Sequence, residues 1–219
     1  MKFKFAFSLS EVLITLTVIG IIAAVTIPIL WTNYKQEETC TKLKKAYSNL
    51  SNAIRLAESD FGPVSSWEFP TTDQRFEYSP TYLKYIKPYL NTVKGYHNLN
   101  SDYYKTINNI DGISTKTAAH WDYLADGTSI ATFSSGTTYF WIFIDLNGEN
   151  NPNRLGKDIF MFDLQFKMAL TFWGDHRWYE LQNTDNYPCK KGTNQVFAGG
   201  YCGALIAKSG WKIPPNYPW

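Results

Sequence analysis

At 219 residues the chain has room for one ordinary domain or for one helix-plus-head unit. Lys and Arg total 21 against 19 Asp and Glu, a formal net charge of +2. So near-neutral a balance argues against a nucleic-acid surface, and no nucleic acid is expected as a partner of the head. Three cysteines without a CxxC pair, and three scattered histidines, argue against a zinc site.

The chain opens with Met1-Lys2-Phe3-Lys4-Phe5-Ala6, a short stretch whose two lysines mark the end that stays on the cytoplasmic side. From Val12 to Trp31 there are 20 residues without a charge. About 20 are needed to cross the hydrocarbon of a bilayer. An ordinary secretory signal would close its apolar region on a small-x-small cleavage site. Here the run passes straight into Trp31-Thr32-Asn33-Tyr34 instead. A plain signal anchor would leave Glu11 without a purpose. A carboxylate at bilayer depth costs roughly 3 kcal/mol, and the sequence suggests no partner for it nearby. A new α-amino group, made by cutting the chain just upstream, would supply one.

The stretch Ala6-Phe7-Ser8-Leu9-Ser10-Glu11-Val12-Leu13-Ile14-Thr15-Leu16 resembles the prepilin signal of type IV pilins and type II secretion pseudopilins. That family has a short basic leader, a small residue before the cut, Phe after it and Glu as the fifth mature residue. A cut after Ala6 makes Phe7 the first residue and Glu11 the fifth, and Pro28 falls at the family's common proline position. Ala6 stands where the family usually has Gly. The resemblance implies cleavage between Ala6 and Phe7 by a membrane peptidase, N-methylation of Phe7, and storage in the inner membrane as a single-pass protein with its head outside the cytoplasm. It further implies an inner-membrane assembly platform, and pairing of Glu11 with the Phe7 amine of a neighbouring subunit in a periplasmic or cell-surface filament. Glu11 and Pro28 are thus the expected assembly residues. Packing of Val12, Leu13, Leu16, Ile19, Ile21, Ile22 and Val25 would give the filament core most of its cohesion.

Residues 34–58 read as an amphipathic continuation. Leu43, Ala46, Tyr47, Leu50, Ala53, Ile54 and Ala57 fall at three- and four-residue steps. One nearly continuous helix is expected from about Phe7 to about Glu58, stopped by Phe61-Gly62-Pro63. Pro28 would kink it or let it melt locally. The division expected is a leader over 1–6, a membrane or filament-core half over 7–31, and an amphipathic half over 32–60. A variable connection then covers 61–125, and a β-sheet head 126–219.

Within the connection, Tyr82–Leu90 and Tyr103–Ile110 suit either short helices or strands. Ala125-Asp126-Gly127-Thr128 marks a tight turn. Ser129–Phe133, Thr137–Asp145, Asp158–Gln165 and Arg177–Leu181 carry the β-branched and aromatic residues of strands. The fold expected is α+β and pilin-like, a long helix on an antiparallel sheet of about four strands, with Trp211–Trp219 as an extended strap.

Cys189 and Cys202 enclose a short glycine-containing loop, and in an exported protein they are expected to pair, with Cys40 as a small helix residue. Asp145, Asn147, Glu149 and Asp158 place oxygens along one loop. Calcium, which takes six to eight oxygens, is the one cofactor they suggest; an Asn/Gly-rich turn bonding its own backbone is the plainer reading. No nucleophile with a fixed base is apparent, and Asp175-His176 between tryptophans suits a structural or surface role, so no enzyme is expected. The expected function is that of a filament subunit, with membrane lipid and other subunits as partners. The alternatives are a minor pilin acting as adhesin or DNA-uptake tip, and a membrane-anchored enzyme.

Overall fold

A computed structural model describes residues 8–69, 79–99, 105–109, 119–135, 139–148, 150–165, 168–172, 189–192 and 197–219. The chain divides into two compact units, Met1–Glu38 and Thr39–Trp219. Helix α1, Leu9–Phe61, runs unbroken through Pro28. The missing proline N–H removes one rung of its ladder, and Thr32 Oγ1 donates to the Pro28 carbonyl at 2.9 Å. The helix ends as the sequence expects. Gly62 takes φ +82° and its N–H reaches the Glu58 carbonyl at 3.0 Å, a left-handed cap that a residue with a Cβ adopts poorly.

In the second unit Leu43, Ala46, Leu50, Ala53, Ile54 and Ala57 are all buried, and Cys40 joins their stripe. Beyond α1 the residues Tyr82–Leu90 resolve into helical turns: a π-turn over Tyr82–Ile86 followed by a 3-10 turn over Lys87–Tyr89. These turns are pinned to the sheet through Asp122. Its buried carboxylate accepts the Tyr82 hydroxyl at 2.8 Å and pairs with Lys87 Nζ at 2.9 Å.

Among the described residues the sheet has six antiparallel strands in chain order, β1 Thr92–Leu99, β2 Ala119–Leu124, β3 Ser129–Ser135, β4 Tyr139–Asp145, β5 Ile159–Gln165 and β6 Met168–Phe172. The expectation of about four strands beginning at residue 126 is corrected: β1 and β2 come from the segment assigned to the connection. Neither of them has a strong alternating pattern of its own, and they are held by pairing with each other and with β3. The β2–β3 hairpin turns where Asp126-Gly127 predicts. Gly127 has φ +85°, and Lys45 on α1 pairs with Asp126 at 3.2 Å. Arg177–Leu181, Asp175 and His176 lie outside the described residues; of Tyr103–Ile110, residues 105–109 are described and form neither a helix nor a strand, Lys105 making an isolated bridge to Arg154 ahead of a turn.

Strands β4 and β5 form the centre, and their near-continuous apolar runs are explained by burial on both faces. Phe140, Ile142 and Ile144 pair with Leu164, Phe162 and Phe160 and share one face. Tyr47 of α1 stacks on Phe162 with ring centroids 6.2 Å apart, so the helix covers that face. Trp141 points the other way and meets Phe197 edge-on at 5.4 Å, so the C-terminal segment covers the second. That segment includes helix α2, Cys202–Lys208. The tail then runs over α1, where Trp211 lies 5.8 Å from the Tyr47 ring, and ends with Tyr217 buried and its hydroxyl donated to the Gly156 carbonyl.

Cys189 and Cys202 are joined by a disulfide, and Cys40 stays outside it, buried. Closing a 13-residue separation restrains the unfolded chain by about 3 kcal/mol. Peptide mapping without reduction is expected to recover Cys189 linked to Cys202 alone, and reduction is expected to lower the melting temperature. A link from Cys40 to either partner contradicts the assignment.

Candidate functional site

The feature that asks for a function is the first half of α1. Every described residue from Ser8 to Ile22 is exposed, and so is every one from Ala24 to Tyr34, Ala23 alone being half-buried. These include Leu13, Leu16, Ile19, Ile22, Val25, Ile29 and Leu30. A helix apolar on all sides is made to be surrounded, by lipid or by other helices. Among the described residues it is the one helix long and apolar enough to cross a membrane.

Its few hydroxyls fit such surroundings. Thr15, Thr17 and Thr26 donate to the carbonyls of Val12, Leu13 and Ile22 at 2.8–2.9 Å. Each polar side chain is thereby satisfied within its own helix and asks nothing of an apolar neighbour.

Glu11 lies in the first turn. The expectation that it lacks a nearby partner is corrected. Its Oε2 accepts the Ser8 backbone N–H at 2.8 Å and the Ser8 hydroxyl at 2.9 Å, while Ser8 Oγ accepts the Glu11 N–H at 3.3 Å. This is a reciprocal capping box, which satisfies donors that a helix start leaves open. The residue missed was Ser8, and its signature was legible: Ser8-Leu9-Ser10-Glu11 is Ser-x-x-Glu directly before an apolar run. Both contacts fall on Oε2, and a carboxylate has about four acceptor positions. The capping box therefore fixes the direction of the group and leaves Oε1 for a second donor. Ala6 and Phe7, the expected cleavage and methylation positions, lie outside the described residues.

The loop after β4 brings together three of the four oxygen-bearing residues singled out there; the fourth, Glu149, lies outside the described residues. Asp145 Oδ1 accepts the Asn147 N–H at 3.0 Å. Asn147 Nδ2 lies 3.4 Å from the Asn151 carbonyl, and Asn150 Nδ2 donates to the Asn147 carbonyl at 2.8 Å. The Asp158 carboxylate accepts the Asn153 and Arg154 N–H groups at 2.8 and 2.6 Å. Burial pushes the Asp158 carboxyl up, against the downward pull of those amides. Among the described residues no group of three His, Cys, Asp or Glu side chains gathers that could hold a metal ion. Between its described residues the loop is held by these hydrogen bonds between side chain and backbone.

The model of the Family of unknown function (DUF6613) matches residues 29–219. The chain belongs to this family. The DUF6613 match takes in the second half of α1 and every element of the sheet and tail, and it begins just after Pro28. The apolar turns from Leu9 to Pro28, with Glu11, precede it. No curated protein and no solved structure matches the chain.

Proposed function

We propose that this DUF6613 protein is a structural subunit of a type IV pilus or type II secretion pseudopilus. In this reading it is stored in the inner membrane by the first half of α1 and moves into a filament through that same half. One observation carries the proposal: a half-helix apolar on every side and exposed from Ser8 to Tyr34 at every residue but Ala23, with a single carboxylate, held by a capping box, in its first turn. A bilayer accounts for the apolar surface alone. A helical filament accounts for the carboxylate as well, because cutting after Ala6 releases an amine at Phe7, four residues before Glu11 in the sequence, that can pair with Glu11 of the next subunit. The pilin-like layout, a long helix covering one face of an antiparallel sheet, is consistent with this role, and the disulfide suits a head outside the cytoplasm. The partners are then other subunits of the same or related chains, the prepilin peptidase, the assembly platform and membrane lipid.

The experiment is mass spectrometry of the mature protein from its own cells. The expected N-terminus is Phe7, N-methylated. An uncut Met1, or a start elsewhere, removes the processing route and the proposal with it.

A further inference from the structure

The apolar half of α1 ends in a cluster that the filament reading leaves unused. Trp31, Tyr34 and Lys35 lie three and four residues apart on one side of the helix. The Trp31 and Tyr34 rings are 6.0 Å apart, and Lys35 Nζ sits 5.2 Å from the first ring centroid and 5.8 Å from the second. Glu38 takes one of the ammonium donors at 2.8 Å. A local cation–π group that merely braces the helix would account for these distances. It does not account for the exposure of the rings, 61% for Trp31 and 57% for Tyr34. Two large aromatics left this open at the end of an apolar run are suited to a medium that is oily on one side and wet on the other.

The length of the run fits this medium. From Val12 to Leu30 there are 19 residues between Glu11 and Trp31, a rise of roughly 28 Å. The hydrocarbon of a bilayer is about 30 Å thick. When Glu11 lies at one edge, the cluster lies at the other. We infer that Trp31, Tyr34 and Lys35 form a binding site for phospholipid headgroups at the outer face of the membrane, which sets the depth of the stored subunit. This inference rests on the membrane-storage reading above. The rings lie against the tops of the acyl chains, and the indole N–H and phenol hydroxyl meet ester and phosphate oxygens. The Lys35 ammonium keeps donors beyond the one given to Glu38 and turns them to a lipid phosphate. So placed, the helix holds Glu11 in the opposite headgroup layer, where water and lipid solvate its charge until a neighbour's amine replaces them.

The test uses the full chain in vesicles of phosphatidylethanolamine and phosphatidylglycerol. Trp31 emission is isolated as the difference between the native chain and a Trp31→Phe variant. Quenching is compared for a nitroxide on the lipid headgroup, a nitroxide near the end of the acyl chain, and acrylamide in the water. The expected result is strongest quenching by the headgroup nitroxide, and a loss of that preference in a Tyr34→Ala, Lys35→Ala variant. Strongest quenching from the chain end, quenching by acrylamide alone, or a preference unchanged in that variant overturns the headgroup site while leaving membrane storage standing. A chain that does not float with the vesicles overturns both.

Discussion

Glu11→Gln and Glu11→Ala are expected to leave the protein cut, inserted and folded, yet nearly absent from filaments. The carboxylate sits at the edge of the apolar run, where Ser8 holds it, and in the proposed stored subunit headgroups and water would solvate it there. In the proposed filament the same position would lie among apolar helices, with the Phe7 amine of the neighbour as the group that neutralises it. Removing one member of a buried ion pair leaves the other uncompensated, at about 3–5 kcal/mol. At each interface this is a loss of roughly 100-fold or more in association. Glu11→Gln keeps the shape, and its amide oxygen still accepts the Ser8 N–H, so it isolates the charge. The readout is the yield of sheared filaments beside a blot of the membrane fraction. Normal yield from Glu11→Gln shows charge pairing to be dispensable and contradicts the assembly role given to Glu11.

A second large effect is expected far from the stem, at Gly199→Ala. Gly199 holds φ +106°, outside the range side chains favour, and a Cβ there would lie 2.6 Å from the Leu155 carbonyl oxygen. Backbone does not move aside as a flexible side chain does. Backbone strain of about 1–3 kcal/mol adds to overpacking of similar size. The full chain in detergent is expected to lose roughly 2–5 kcal/mol, on the order of 10 °C in melting temperature. Gly156→Ala should act in the same direction, because its Cβ would meet Cys202 Sγ at 2.5 Å at φ +80°. Both glycines fasten the C-terminal segment to the loop before β5, next to the disulfide. A melting temperature within a degree or two of the native one for Gly199→Ala contradicts that packing.

The parts legible in the sequence are those set by periodicity and by end signals. The apolar run, the buried stripe from Leu43 to Ala57, the Gly62 stop and the Asp126-Gly127 hairpin are each local, and each stands where the pattern puts it. Strands β4 and β5 are legible too, because burial on both faces makes them unbroken apolar runs. Strands β1 and β2 were not. Thr92–Leu99 holds Gly95, His97 and Asn98, and its pairing with Ala119–Leu124 spans a long connection, so partners rather than propensity decide it. The contacts of Gly156, Gly199 and Asp122 join residues 35 or more positions apart and leave no local mark. At the candidate site the position of Glu11 and the Ser-x-x-Glu of its capping box are both legible in the letters, although charge alone does not point to Ser8.

The proposed role turns on what surrounds residues 12–30 after the proposed cut at Ala6. Helical reconstruction by electron microscopy of filaments sheared from cells making this protein measures that. The account predicts a central bundle of α1 helices with Glu11 of each subunit beside the Phe7 amine of a neighbour, and the sheet heads on the outside. Filaments built through the heads with the apolar helices elsewhere, or a chain found wholly in the membrane fraction with no filaments at all, would contradict it.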